Sequence, residues 1–257
     1  MGLAHLAYKN RNKISFGSSV PKGEHNIMTI GILGAMKEEI VPFLELLNND
    51  DITPITYAGS TYYKVHYKEH ELVIAYGKIG KVNSAITALV MIEKFNASAI
   101  IFSGVAGAIN PNLKVGDLIY ANKLLQHDID LSAFGHPRGF IPESKLFFET
   151  DTNLIAIAKK VAKSLELDLK GGVIATGDQF VADKTQKDWI AKEFGADALE
   201  MEGAAVANVC DSLNIPLFVL RAISDSADGK ATHDFDSFLE ESAKISAEFV
   251  FNMIKNV

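Results

Sequence analysis

Cysteine is almost missing: Cys210 is the only one in 257 residues. That excludes an intramolecular disulfide and a cysteine-built metal cluster, and a reducing, cytoplasmic setting fits. Cys210 stands among Val206, Val209 and Leu213 at helical spacing, so it reads as a small core residue. A basic stripe is missing too. The net charge is −7, which argues against nucleic acid as a partner. Metal-ligand spacing is also lacking. His5, His25, His66, His70, His136 and His233 are scattered, and His127-Asp128-Ile129-Asp130 puts donors side by side without partners elsewhere, so no metal is expected. There are no internal repeats, linkers or low-complexity tracts. The first stretch, residues 1–26, carries Lys9, Arg11, Lys13 and Lys22 but no long apolar run. It reads as neither a convincing signal peptide nor a membrane span, and as a basic, Ser-containing arm it leaves a transit-like segment open. It is expected to be a disordered or non-native extension, with Met28 the functional beginning and 27–257 a single domain.

What is present is core-forming material. The chain is 48% hydrophobic and 22% charged, enough to bury a sizeable interior. Apolar runs at Ile27–Leu33, Ala99–Phe102, Gly171–Ala175 and Pro216–Ile223 read as buried strands. Asp117–Ala121 and Lys123–Gln126 read as two more. Thr61–Tyr67 and Glu71–Tyr76 around Lys68-Glu69-His70 read as a hairpin. Helices are expected from Lys37, from Val82, over Asn153–Leu165, around Trp189 and over Phe235–Ile254, with Ile40, Phe43, Leu44 and Leu47 at core spacing in the first. Strands and helices alternate, which gives a three-layer α/β/α domain. A strand–glycine–helix start, Gly31 to Gly34, resembles a dinucleotide fold only weakly, because the full glycine fingerprint is missing.

Three strand ends carry chemistry. Ser103-Gly104-Val105-Ala106-Gly107-Ala108 reads as a glycine loop after a strand, where backbone approaches a ligand closely or simply turns. Gly177-Asp178-Gln179-Phe180 puts an aromatic after a glycine turn, either a core plug or a stacking platform. Glu200-Met201-Glu202-Gly203, followed by Arg221-Ala222-Ile223-Ser224-Asp225, brings acids and an arginine to one end of a buried strand, where open α/β sheets collect ligands. The same stretch also suits an ordinary helix N-terminus, where acids complement the dipole. The Gly/Pro-punctuated loop Leu131 to Pro142 carries aromatics that read as exposed, as functional or interfacial loops do.

Taken in order, these stretches, with Gly31-Ile32-Leu33-Gly34-Ala35-Met36, Glu38-Glu39, Ile79-Gly80-Lys81-Val82 and Leu131-Ser132-Ala133-Phe134-Gly135, resemble the 5′-methylthioadenosine/S-adenosylhomocysteine nucleosidases of the nucleoside phosphorylase/hydrolase superfamily. The resemblance runs from Met28 to the C-terminus. It implies a central mixed, twisted sheet and hydrolysis of the N-glycosidic bond of adenine thionucleosides without a cofactor. It implies Glu39 as the base that activates water, Asp225 as the acid that protonates adenine, and Ser224 to orient Asp225. Arg221 would fix the carboxylates. Glu202 would hold the ribose hydroxyls with Met201 packed on the sugar. Phe180 would stack on adenine, the Val181 backbone would read the base edge, and Val105 and Gly107 would lie beside the nucleoside. Met36, Ile79 and Phe235 would line the 5′ group. It also implies a homodimer in which the partner's loop, with Leu131, Phe134 and Pro142, caps the site. Val105 departs from the family, many of whose members carry serine or threonine there. Similar members also cleave 6-amino-6-deoxyfutalosine, and apolar lining discriminates 5′ groups weakly, by about 1–3 kcal/mol per methylene. The competing expectation is a phosphate-dependent purine nucleoside phosphorylase, which Lys37 keeps open and the carboxylates Glu38 and Glu39 oppose.

Overall fold

The computed structural model describes residues 28–47, 51–228 and 230–257. The expectation for residues 1–26, and the Ile27 end of the first strand, lie outside the described residues. The rest forms a mixed ten-stranded sheet with six α-helices. The alternating strands and helices therefore form the expected α/β fold with a central mixed sheet.

The chain opens with β1 (Thr29–Gly34), whose residues from Ile30 onward are all buried. α1 (Lys37–Leu46) follows and turns Ile40 and Phe43 inward. A meander comes next: β2 (Thr53–Tyr57), β3 (Ser60–Tyr67) and β4 (His70–Tyr76), paired antiparallel in sequence, with β4 parallel to β1. α2 (Lys81–Glu93) leads to β5 (Ala99–Ala108), then β6 (Leu118–Gln126) and the two-residue β7 (Phe148–Glu149). α3 (Thr152–Ser164), β8 (Leu169–Thr176), α4 (Lys184–Phe194), β9 (Ala198–Glu200), α5 (Gly203–Leu213), β10 (Leu217–Asp225) and α6 (Ala231–Ile254) complete it.

The sheet runs β10-β6-β8-β9-β5-β1-β4-β3-β2, and β10 also pairs with β5. Five strands (β5, β10, β6, β8, β9) thus close into a ring, and the remaining strands extend from it as an open sheet. The closing pair, β5 with β9, is antiparallel and short, Gly107 opposite Leu199 and Ala108 opposite Ala198. One apolar cluster joins Ala88, Met91 and Ile92 of α2 and Val206, Ala207 and Cys210 of α5 to Phe102, Val219 and Ile223. A second joins Ile40 and Phe43 of α1, Leu154 and Val161 of α3 and Val250 of α6 to Phe218 and Leu220. Adjacent strand residues face opposite sides, so Phe218 and Val219 fall in different clusters, and Arg221 points with Val219 and Ile223. Cys210 is the buried core residue that its spacing predicts.

Three expectations are corrected. Ser103 to Ala108 is not a loop after a strand; it is the second half of β5, buried at every position. Glycine and alanine carry little strand signal, but here they leave room for side chains from neighbouring elements. The two strands expected over residues 117–126 are one, β6, with an irregularity between Ala121 and Lys123 that breaks the alternation. The last helix begins a turn earlier than Phe235.

Candidate functional site

A cavity of about 280 Å³ opens where β1, β5, β8, β9 and β10 end or are followed by their loops. Met36 and Glu39 enter from the start of α1, Ile79 from the turn before α2, Val105 and Gly107 from β5. Phe180 and Val181 follow β8, Met201 and Glu202 follow β9, Ser224 and Asp225 end β10, and Phe235 lies in the first turns of α6. These twelve expected residues line one space. Ala35, Ala106, Gln179, Leu199, Glu200 and Ala227 also line it; of these, Glu200 is the one with chemistry, and its motif marked it without giving it a role.

Glu39 sits in the first turn of α1 and reaches back over its start. The N–H of Ala35 donates to its Oε2 at 2.6 Å, and that of Met36 at 3.4 Å. This is the half of a capping box in which the third helical residue satisfies an orphan donor. The carboxyl is buried, and burial raises its pKa from 4.5 to about 7 despite the Arg221 charge and the backbone donors of Ala35, Met36 and Val105. It is therefore poised at neutrality, where a proton acceptor works best. Val105, which carries no hydroxyl, still offers its backbone to this carboxylate.

Glu200 is the hub of the polar side. Its Oε2 accepts from Arg221 Nη2 and from the Gly203 N–H, both at 2.7 Å. Its Oε1 accepts from the Glu202 N–H at 3.3 Å and from the Thr176 hydroxyl. It thus caps α5 and neutralises Arg221, which is 1% exposed and lies over the Phe102 ring at 4.1 Å. Arg221 does not line the cavity; it holds Glu200 from behind. Glu202 accepts from the Gly80 N–H at 2.9 Å and the Met201 N–H at 3.1 Å. Burial, and then Glu200 beside it, push the Glu202 carboxyl above its usual range.

Asp225 ends β10. Its Oδ2 accepts from the Ser224 hydroxyl at 2.9 Å and its Oδ1 from the Ala227 N–H at 2.8 Å. Burial raises its pKa, and these two donors only partly offset that; the Asp234 and Asp228 charges push the same way as burial. An acid held above its normal range and a carboxylate near neutrality in one cavity can act as an acid–base pair. Glycine in β5 makes the fit possible: a Cβ on Gly104 would stand 3.0 Å from the Glu39 carboxylate, and one on Gly107 2.7 Å from Asp225 Oδ1. Gly107→Ala therefore displaces the Asp225 carboxyl in a folded protein. The expected cost is about 10²-fold in kcat, the scale of an ångström-sized misplacement; unchanged kcat with an unchanged melting temperature would refute it.

The apolar side consists of Met36, Ile79, Phe180, Val181, Met201 and Phe235. Phe180 is 44% exposed and meets Phe235 edge-on at 5.5 Å between ring centroids. That exposure rules out the core-plug reading of Phe180 and leaves a ring face available for stacking. Leu131, Phe134 and Pro142 are not brought to this cavity. They lie on a surface loop, where Phe134, 80% exposed, ends the short 3-10 helix Ser132–Phe134. In His127-Asp128-Ile129-Asp130 the carboxylates are engaged by cations of the chain. Asp128 pairs with Lys81 at 2.7 Å and Asp130 with Arg138 at 2.6 Å.

Residues 29–255 match the Phosphorylase superfamily. The aminodeoxyfutalosine nucleosidase of Campylobacter jejuni is 56% identical over 231 residues, covering 90% of this chain and 100% of that protein. The 5′-methylthioadenosine/S-adenosylhomocysteine nucleosidase of Oceanobacillus iheyensis is 37% identical over 231 residues, with the same coverage of 90% and 100%. Among solved structures, a mutant Helicobacter pylori nucleosidase with 5′-methylthioadenosine in the active site superposes with a TM-score of 0.88 at 50% identity, covering 90% of this chain and 99% of that one.

Proposed function

The chain belongs to the phosphorylase superfamily, and from that premise we propose that it is a nucleosidase. It hydrolyses the N-glycosidic bond of 5′-substituted adenosines, releasing adenine and the free ribose derivative. 5′-Methylthioadenosine, S-adenosylhomocysteine and 6-amino-6-deoxyfutalosine share the adenine and ribose that the cavity addresses. In one solved relative, 5′-methylthioadenosine occupies the active site.

One observation favours water over phosphate as the nucleophile. Four acids, Glu39, Glu200, Glu202 and Asp225, line the cavity, and among the described residues no lysine or arginine does. Arg221, which lies behind Glu200, is already neutralised by it. A phosphate dianion needs paired cations or a cluster of N–H donors, and an ionised Glu39 repels it.

In this reading Glu39, ionised near neutrality, takes a proton from water beneath the anomeric carbon. Its charge also stabilises the ribosyl cation as the bond breaks, as paired carboxylates do in other glycosidases. Asp225, whose acid form burial favours, delivers its proton to the departing adenine, with Ser224 setting its orientation. Glu202 accepts the ribose hydroxyls and Met201 covers the sugar. Phe180 stacks on the base, while the Val181 backbone supplies the donor and acceptor that adenine's edge requires. Met36, Ile79 and Phe235 surround the 5′ group. Cytoplasmic placement suits a chain with a single cysteine; no helix among the described residues is long and apolar enough to cross a membrane.

A second copy completes the site in this proposal. Val82, Ile86 and Leu89 of α2 are exposed beside the cavity's Ile79, as is Phe134 on its loop, so a homodimer covers apolar surface and brings the partner's loop over the mouth. The deciding experiment follows adenine release from the three nucleosides with and without phosphate, on a preparation whose mass is read by light scattering. Phosphate-independent release of a free sugar, at twice 27.9 kDa, is expected. A ribose 1-phosphate product would overturn the hydrolase, and a mass of one chain would overturn the dimer.

A further inference from the structure

The cavity's two binding loops share one anchor that the proposed reaction leaves unused. Lys81 opens α2, directly after Ile79 and Gly80. Its Nζ donates to Asp128 Oδ1 at 2.7 Å and to Gln126 Oε1 at 3.1 Å, and its backbone N–H donates to Asp178 Oδ1 at 2.8 Å. The other oxygen of Asp128 accepts from the Asp178 N–H at 2.9 Å. Three chain segments distant in sequence are thus joined in a small ring of charge-assisted bonds. The Lys81 and Asp128 side chains are only 15% and 18% exposed, so the pair is shielded from the solvent that makes open surface bridges worth little. Burial acts against the Asp128 charge, but the Lys81 and Asp178 donors outweigh it and hold its pKa below normal.

Each side of the ring leads to a binding group. Next to Lys81, the Gly80 N–H donates to Glu202, the carboxylate assigned to the ribose. Two residues past Asp178 stands Phe180, the ring assigned to adenine. Asp178 is attached to both Lys81 and Asp128, so a shift of one loop is transmitted to the other. Resting on the nucleosidase reading, we propose that the Lys81–Asp128 pair is a positioning device that sets the ribose carboxylate Glu202 and the adenine platform Phe180 in register with each other. Neither residue touches the reacting atoms. Their contribution is preorganisation, which acts on binding of the whole nucleoside rather than on proton transfer.

The test uses full-length Lys81→Met, which keeps the aliphatic stem, the near-isosteric Asp128→Asn, the double variant, and Lys81→Arg as the charge-conserving control. KM and kcat for 5′-methylthioadenosine are measured together with the calorimetric Kd for free adenine. Each single variant is expected to raise KM and the adenine Kd about tenfold while kcat falls less than about threefold. The double variant adds little more, because residues in one network are not additive. Lys81→Arg recovers most of the loss. A pair that only stabilises the fold would lower the melting temperature and leave KM and the adenine Kd at wild-type values; that result overturns the proposal, as does a loss confined to kcat. A wild-type chain that binds adenine but cleaves no nucleoside refutes the nucleosidase reading instead, and the adenine Kd of the variants still decides whether the pair holds the Phe180 loop. If Lys81→Met does not fold, Asp128→Asn, which preserves shape, decides between these outcomes.

Discussion

Asp225→Asn is expected to bind nucleoside about as well as the wild type and to turn it over about 10²–10⁴-fold more slowly, the range that a positioned general acid contributes. Asparagine has the shape of aspartic acid and no proton to give at neutral pH. Its carbonyl oxygen takes over the bond from the Ala227 N–H. The Ser224 hydroxyl, which now donates to Asp225, can rotate to accept from the new amide. The local structure has no reason to change, so the loss falls on the chemical step. Calorimetric affinity and kcat measured on the same sample separate the two. A variant that turned over near the wild-type rate would take the acid role away from Asp225.

The second large effect has two opposite faces. Glu39→Gln is expected to abolish turnover by removing the base and, at the same pH, to stabilise the fold. Burial lifts the Glu39 pKa from 4.5 to about 7. Between those values the folded protein holds a proton that the unfolded chain releases, so the stability associated with this group is complete below about pH 4.5 and lost as pH rises through 7. A shift of roughly 2.5 units corresponds to about 3 kcal/mol. Glutamine never carries the charge. Its melting temperature should therefore match the wild type near pH 4.5 and exceed it above pH 7 by about 6–10 °C for a chain of this size. The wild type's kcat/KM should decline below about pH 7, as Glu39 takes up a proton. An active Glu39→Gln enzyme would show that another base works; equal melting temperatures at pH 8 would show that Glu39 is not held charged against its burial. Activity kept at the expense of stability is the usual compromise at a catalytic site.

Much of this was legible in the chain, for identifiable reasons. β1, α1, the β3–β4 hairpin, α5 and β10 have apolar patterns strong enough to stand alone, and the family resemblance carried by the motifs named twelve residues that line one cavity. β2 escaped because it is mostly exposed, contains Pro54 and has no alternating face. β9 escaped because three residues cannot show a period. The glycine-rich half of β5 misled because the property that matters there, absence of a Cβ beneath two carboxylates, is invisible without the neighbours. The resemblance gave a role to Glu202 alone; the Arg221 contact and the N–H of Gly203 show that Glu200 supports the helix, while Glu202 faces the Gly80 turn. The Lys81–Asp128–Asp178 ring could not have been read at all, since its members stand 47, 50 and 97 residues apart.

The closing of the sheet also fixes when the site can exist. Glu202 is delivered by the segment after β9, and Asp225 by β10; both strands meet β5 only across long sequence separations. Such contacts carry the largest loop-closure entropy and tend to form late. A chain in which β9 has not joined β5 lacks the wall that carries Glu202, and so has no complete pocket. Ligand affinity then belongs to the fully closed state alone, and by mass action a bound nucleoside stabilises the ring seam itself.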